Sequence, residues 1–545
     1  MSSRRSFLRT LASTCSLGAA GLWRPHDARA SGLGLAERLE RLHSNQLSFD
    51  AGHKPRISIA LHQGATEAWL SAREGLELLP SGLDGPRVRG GRRWRIRLGR
   101  ARAGEERFAV RLGDFAPDDR LALEQAQSMW RRRGIDSQTH EIGAVFGVRG
   151  RVLDTRRVVV ATSSFADKRQ AQRVAERLQL AYGVRHELHV HRLRRADGTI
   201  LADDLDHETT VEAPGVMWFA SGAGQPIEVR GAGEAAASAY RGQVYVAIDR
   251  NGKLAVVNVV DEIGVLSGIV PAEMFASAPA AALEAQAIAA RGQLLARIGT
   301  RHRDDPFLLC ADQHCQVYAG LAREDRRSNR AVEETAGRVL MRPTGTRLAN
   351  TVYSANCGGH TENNDDVWAS PPDPLLRGRA DPLVDVRFAG GIDEANLEAF
   401  LLAPPRAHCH LSAGLSADSF RWEVVVDAAT VEQNPGIPPG FGRLRELRVR
   451  ARGRSGRAKE VELVGDGADV VIRRELAIRR ALGGLRSSLF LVRREAAGQL
   501  RLVGGGHGHG VGMCQQGAIG MASAGLGVAA ILQHYYRGAE LARLW

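Results

Sequence analysis

Residues 268–298, GIVPAEMFASAPAAALEAQAIAARGQLLARI, constrain this chain more than any other stretch. Two prolines, Pro271 and Pro279, punctuate a run that is otherwise mostly apolar or small. The apolar residues 265–270 lead into Pro271, and proline's missing N–H is not needed at the first position of a helix. The pattern predicts a short helix beginning at Pro271, with Glu273 in its first turn. A second helix is predicted after Pro279, with Leu283, Ala287, Leu294 and Ile298 on one face at a period of roughly 3.6 residues. Ile269, Val270, Met274 and Phe275 place apolar side chains around Glu273. Desolvation favours the neutral acid, whereas a helix N-terminus favours the anion. A glutamate in such a place is ordinarily a capping or dipole partner, and in apolar surroundings it is also a candidate catalytic acid. These residues alone leave both readings open.

At 545 residues the chain has room for two or three domains. Its 74 basic against 61 acidic side chains give a net charge of +13, carried almost entirely by arginine. Such a balance suits an anionic polymer, whether nucleic acid, anionic lipid or a carboxylate-bearing cell wall. There is no nucleic-acid module and no dense basic run, so nucleic acid is not expected as a partner and the excess reads as solvated surface. No segment reaches the roughly 18 apolar residues of a membrane span, so none is expected in the mature chain. Residues 1–30 resemble a twin-arginine export signal: Arg4-Arg5 precedes Phe7-Leu8, an apolar stretch follows, and Ala28-Arg29-Ala30 offers a cleavage site. That resemblance implies export to the periplasm or cell-wall space. Cys15 falls inside the signal. The five remaining cysteines are an odd number, which leaves a thiol unpaired and room for a metal site.

The chain divides on pattern into a linker and strand-rich region (31–104), a duplicated unit (105–195), a Gly- and Ala-rich junction (196–239) and a catalytic region (240–545). Residues 243–248 and 254–260 read as a hairpin across Asn251-Gly252. Residues 420–472 read as strands, with turns at 453–456 and 465–467. In the duplicated unit, Phe108 to Ala116 and Val158 to Ala166 each begin a strand, a Phe-Ala turn, an amphipathic helix and a glycine. This unit resembles the SPOR module, a duplicated β-α-β that binds peptidoglycan strands lacking stem peptides. The residues equally suit a duplicated α+β domain with no ligand. The expected fold class is α+β: an antiparallel-strand-rich catalytic domain with a few helices, plus the smaller duplicated domain.

Four blocks follow one another in order: Tyr240-Arg241-Gly242 with residues 268–274 and 285–291; YSANCGGHTEN at 353–363; Ile478-Arg479 with LGGLRS at 482–487; and HGHGVGMCQQGA at 507–518 with ILQHYYRG at 531–538. Together they resemble the stage II sporulation protein D (SpoIID) family, which includes amidase enhancers of the LytB type. The resemblance implies a lytic transglycosylase acting on peptide-stripped glycan strands, with Glu273 as its acid/base. That residue would protonate the oxygen between N-acetylmuramic acid and N-acetylglucosamine. It would then take the proton of the muramic 6-hydroxyl as that oxygen closes a 1,6-anhydro ring. An internal hydroxyl replaces water, so one carboxyl group suffices where an ordinary glycosidase uses two. The alternative is a non-catalytic enhancer of an N-acetylmuramoyl-L-alanine amidase; an intact Glu273 favours the enzyme. Ser354, Cys357, His360, Glu362, His507, His509 and Gln515 are the candidate glycan contacts, beside glycines that let backbone N–H groups approach a ligand. The same glycines and histidines also suit tight turns and interior hydrogen bonding.

His302, Cys310, His314 and Cys315 lie within 14 residues. Two thiolates and two imidazoles suit tetrahedral zinc, and four protein ligands leave no open position, so the ion would be structural and the chemistry needs no cofactor. Some family members hold zinc by Cys and His in this region. A Cys310–Cys315 disulfide is the alternative in an exported chain. His408-Cys409-His410 lacks partners nearby in sequence and reads as a loop.

Overall fold

The computed structural model describes residues 34–545 apart from 51, 81, 83–85, 185–186, 313, 344, 369, 382, 384–385, 413–416 and 495–498. The export signal expected over residues 1–30 lies outside them. The fold mixes helices with sheets that are almost wholly antiparallel.

Two sheets form the β part. One runs in the order Ser48–Phe49, Pro55–Ala65, Leu254–Asp261, Gln243–Ile248, Val216–Ser221, Leu76–Leu79 and Val88–Arg89, with Leu309–Cys310 added parallel to Pro55–Ala65. The other runs Thr209–Pro214, Asp197–Asp204, Arg93–Arg102, Glu67–Ser71, Ile227–Gly231 and Ser238–Tyr240. The hairpin across Asn251-Gly252 forms as predicted, with Gly252 at φ 70°. Residues 196–239, expected as a junction, instead supply five strands to these sheets. Their glycines sit at strand ends and turns, where a composition count mistakes punctuation for a linker.

The duplicated unit is set into this β part. Glu105–Phe115 and Arg157–Thr162 pair antiparallel at its centre, flanked by Leu188–Arg194 and Ser137–Ile142. Each copy carries one helix, Arg120–Arg132 or Lys168–Tyr182, capped by Asp119 or Asp167. Val110, Leu112, Trp130, Val160, Ala175 and Leu178 close a small core of its own. The unit joins the rest of the chain through Ala144, Phe146, Val148 and Leu153, which enter the main hydrophobic core, and through polar contacts: Arg303 donates to the Val190 carbonyl at 3.1 Å, and Arg250 reaches Glu106 at 3.6 Å.

Beyond the sheets the chain turns helical. Glu262–Glu273 starts at Asp261, whose carboxylate accepts the Gly264 N–H. Ala280–Arg297 follows Pro279, as predicted. Both are buried nearly all round. Arg291 and Glu262 form a fully buried ion pair between them, and Arg291 also donates to the Val332 and Arg338 carbonyls. The predicted start at Pro271 is therefore wrong: Pro271 lies inside the first helix and Glu273 is its last residue. A helix apolar on every side shows no period, so its N-terminal half reads equally well as a buried strand.

Residues 421–505 form two three-stranded sheets around a second core, with the strands and both turns where the sequence placed them. The helices Gln515–Ser523 and Val528–Tyr535 pack on Ala280–Arg297, and Glu540–Arg543 pairs with Arg338–Met341. No helix among the described residues is long and apolar enough to cross a membrane.

Candidate active site

Glu273 ends its helix half-buried, next to buried Val270 and Met274. Phe275, expected to help cover it, is 59% exposed. Burial pushes the Glu273 carboxyl up from its ordinary value. Position now matters to the sign of the second effect: a helix C-terminus carries partial negative charge and disfavours an anion. Burial and dipole therefore act together, not in opposition. Arg297 and the glutamines Gln316 and Gln515 pull the other way. Gln316 Nε2 donates to Glu273 Oε1 at 3.2 Å and also to the Tyr353 hydroxyl. Gln515 Nε2 donates to the Glu273 backbone carbonyl at 2.8 Å, one of the carbonyls a helix end leaves free, and lies 3.3 Å from Gln286 Oε1. Arg297 bonds Gln316 Oε1 at 3.3 Å, Gln293 Oε1 at 2.8 Å and the Cys315 carbonyl. Among the described residues no second carboxylate bonds to Glu273.

The two glycine-rich blocks meet as a parallel pair, Tyr353–Ser354 with Met513–Cys514, extended by the exchange of N–H···O bonds between Asn356 and His507. Gly512, at φ 71°, allows this: a Cβ there would fall 2.0 Å from the Val352 carbonyl oxygen. The candidate glycan contacts divide. The exposed His507 and half-buried His509 are open to a ligand, although His509 already accepts the Val511 N–H at 3.0 Å and packs on Trp368. Burial beside Arg457 and Arg479 takes His509 down to about 3, so it is neutral. Ser354 Oγ accepts the Gly510 N–H at 3.2 Å, and Gln515 serves Glu273. Cys357, His360 and Glu362 are interior residues and do not face a polymer. His360 bonds the Thr361 carbonyl at 2.7 Å, and Glu362 accepts Ser455 Oγ–H at 2.7 Å and the Asn363 N–H at 2.8 Å. Their motif positions are visible in sequence; their burial is not. Gln316, Arg297 and Gln286 escaped the sequence reading. The one signal for Gln316 was its place directly after Cys315.

The metal-like set comes together. One donor atom from each of His302, Cys310, His314 and Cys315 lies within 4.8 Å of all the others, and both cysteines are free thiols. His314 Nδ1 is 3.6 Å from Cys310 Sγ, 3.7 Å from Cys315 Sγ and 3.2 Å from His302 Nε2. A tetrahedral zinc site with ordinary Zn–S and Zn–N bonds has edges of about 3.3–3.8 Å. His302 Nδ1 meets Asp305 Oδ2 at 2.8 Å, and Arg250 holds that carboxylate at 2.7 Å. This fixes the ring so that Nε2 presents its lone pair to the other donors, the usual arrangement behind a metal-bound histidine. His302, the least regular member of the set by spacing, reaches it through a left-handed backbone at φ 48°. The residues fit zinc.

Residues 250–341, which hold Glu273, both glutamine-side partners Arg297 and Gln316, and all four Cys/His donors, match the stage II sporulation protein (SpoIID) family. Residues 250–341 are thus a SpoIID-family domain. Residues 362–512 match a separate domain family of unknown function, so the SpoIID match is narrower than the 240–545 span suggested by the motifs. An uncharacterized protein of Brachyspira hyodysenteriae is 28% identical over 54% of this chain and 70% of its own length. The amidase enhancer of Bacillus subtilis is 26% identical over 51% of this chain and 40% of its own. The chain thus spans less than half of that relative. A Burkholderia pseudomallei K96243 crystal structure, of a protein described only as exported, is 12% identical and overlaps 30% of this chain and 25% of its own at a TM-score of 0.16, too little to bear on the fold.

Proposed function

We propose that the SpoIID domain is a lytic transglycosylase for peptide-stripped glycan strands, with Glu273 as the acid/base. The observation that carries this is a lone carboxyl group at a helix C-terminus, raised by burial and gripped on one oxygen by Gln316. A carboxyl group with raised proton affinity, oriented through one oxygen by Gln316, can act as a single proton shuttle. Glu273 gives its proton to the glycosidic oxygen as the C1–O bond breaks. The resulting carboxylate accepts the proton of the muramic 6-hydroxyl as the O6–C1 bond forms. No water is consumed, and Glu273 ends protonated as it began.

Zinc, bound by His302, Cys310, His314 and Cys315, would supply a closed structural crosslink and no open coordination position. Its role for this chain is to fix the loop from which Gln316 reaches Glu273. The duplicated unit, in this reading, is a SPOR-like module holding the same polymer, which raises local substrate concentration. An export signal would place both at the cell wall.

The name of the B. subtilis relative favours a second reading, a non-catalytic enhancer of an amidase. One experiment separates them: amidase-stripped glycan is incubated with wild type or Glu273→Gln and the products are read by mass spectrometry. Anhydromuramic ends from wild type alone support the enzyme. Glycan binding without cleavage by either protein sinks it, and stimulation of an added amidase then supports the enhancer.

A further inference from the structure

Three cysteines from distant parts of the chain meet in the interior behind the glycine-rich blocks. Cys357, Cys409 and Cys514 are 2%, 1% and 0% exposed, and their sulfurs all lie within 4.8 Å of one another. None is in a disulfide. The Cys357–Cys409 Sγ–Sγ distance is 3.8 Å. That is the edge expected between two thiolates on one metal ion, about 3.8 Å for tetrahedral geometry with ordinary metal–sulfur bonds. Cys514 Sγ accepts the Cys357 N–H at 3.1 Å and the Gly517 N–H at 3.2 Å, at the start of the Gln515–Ser523 helix. Backbone N–H donors and a helix N-terminus both stabilise a thiolate. The Arg421 guanidinium donates to the Gly358 carbonyl at 3.0 Å, one residue from Cys357, and adds positive charge.

A second observation points the same way. Among the described residues, the buried Tyr535 hydroxyl has no hydrogen-bond partner. A Cβ on Gly517 would meet that hydroxyl at 2.0 Å and Cys514 Sγ at 3.3 Å, so the orphan group sits beside the thiols. A buried hydroxyl without a partner costs about 1–3 kcal/mol, and a metal-bound sulfur or the ion itself would be its missing partner.

We propose that Cys357, Cys409 and Cys514 form a second metal site, separate from the His302 cluster, that takes one thiolate-binding d10 cation, Zn2+ or Cu+. Soft thiolate sets select these ions. Binding replaces the thiol protons, which leave to solvent, and no electron is transferred. The site would tie together three segments: the 353–363 block, the short helix His408–Leu411 and the 507–518 block.

The test is metal loading of the whole chain kept reduced. Wild type, Cys310→Ser/Cys315→Ser and Cys357→Ser/Cys409→Ser are dialysed against Zn2+ or Cu+, and bound metal is measured by elemental mass spectrometry. The first double variant should keep one ion per chain and the second should lose that ion; the element retained at equal supply tells Zn2+ from Cu+. A reading that needs no variant is Cd2+ loading of wild type, where a 113Cd resonance from an all-sulfur site should stand apart from that of a mixed sulfur–nitrogen site. The proposal is overturned if the first double variant binds nothing, or if wild type shows no all-sulfur cadmium signal. It also fails if the native chain is two hydrogens lighter with the Cys357 and Cys409 peptides joined.

Discussion

The two cysteine clusters hold Glu273 in parallel but unlike ways. In each, the glutamine directly after a cysteine reaches the acid: Gln316 after Cys315 takes the carboxyl oxygen, and Gln515 after Cys514 takes the backbone carbonyl. The first cluster is local, drawn from one loop of 14 residues. The second joins residues up to 157 positions apart. The first grip acts on the proton-bearing group itself. The second acts on the helix end that carries it. The difference separates tuning of the acid from placement of the acid, and mutations should pull these apart.

The largest expected effect falls on the group both grips share. Glu273→Gln should lower strand cleavage by about 10²–10⁴-fold with little change in melting temperature, since general acid/base catalysis is worth about that much. Next comes the frame behind the long-range cluster. Arg457 donates to the Cys357 carbonyl at 3.1 Å and to Ser455 Oγ at 2.8 Å, and Ser455 in turn donates to Glu362. Burial raises Glu362 from the ordinary 4.5 to about 7. The folded state then holds a proton the unfolded state has released. The contribution of Glu362 to stability should be greatest below pH 4.5, fall by about 3 kcal/mol as pH rises through 7 and be flat above. Denaturation curves of wild type and Glu362→Gln across that range would show it as the difference between their slopes, since the histidines that burial holds neutral contribute equally to both.

Breaking the local cluster with Cys310→Ser/Cys315→Ser should lower cleavage about 10–100-fold, the usual cost of disturbing a metal site's surroundings. Restoration by Gln316-independent means, or no loss at all, would detach the cluster from the acid. The smallest effects should be the most informative. Gln316→Leu removes a donor that favours the Glu273 anion, so the acid stays protonated to higher pH and the alkaline limb of the rate profile moves up. Gln515→Leu should lower kcat several-fold with a smaller shift of that limb, because Gln515 is the lesser of the two glutamines that favour the anion. Identical pH profiles for the two variants would erase the distinction between tuning and placement.

The strands and helices of residues 105–194, the 243–261 hairpin and the 420–472 strands were legible because each rests on short-range alternation, capping residues and turn glycines. The His302 cluster was legible for the same reason: its donors are neighbours in sequence, and short loops bring them together at little entropic cost. The thiol cluster was not. Cys409 sits in a segment that reads as a loop, and nothing in its neighbourhood announces Cys357 or Cys514. The 196–239 stretch failed in the opposite sense: beside its own hairpins, its strands pair with residues 67–102, out of reach of any local pattern.

By itself the sequence marked out the candidate residues: the Glu273 block, the glycine-rich blocks and one complete donor set. Only the tertiary structure decided how they act. The helix around Glu273 is buried on all faces, so no periodicity could tell its first turn from its last, and with that the sign of the dipole acting on the acid. Packing also turned Cys357, His360 and Glu362 inward, because burial depends on what the rest of the chain lays over a residue, and that is fixed only when distant segments close on one another.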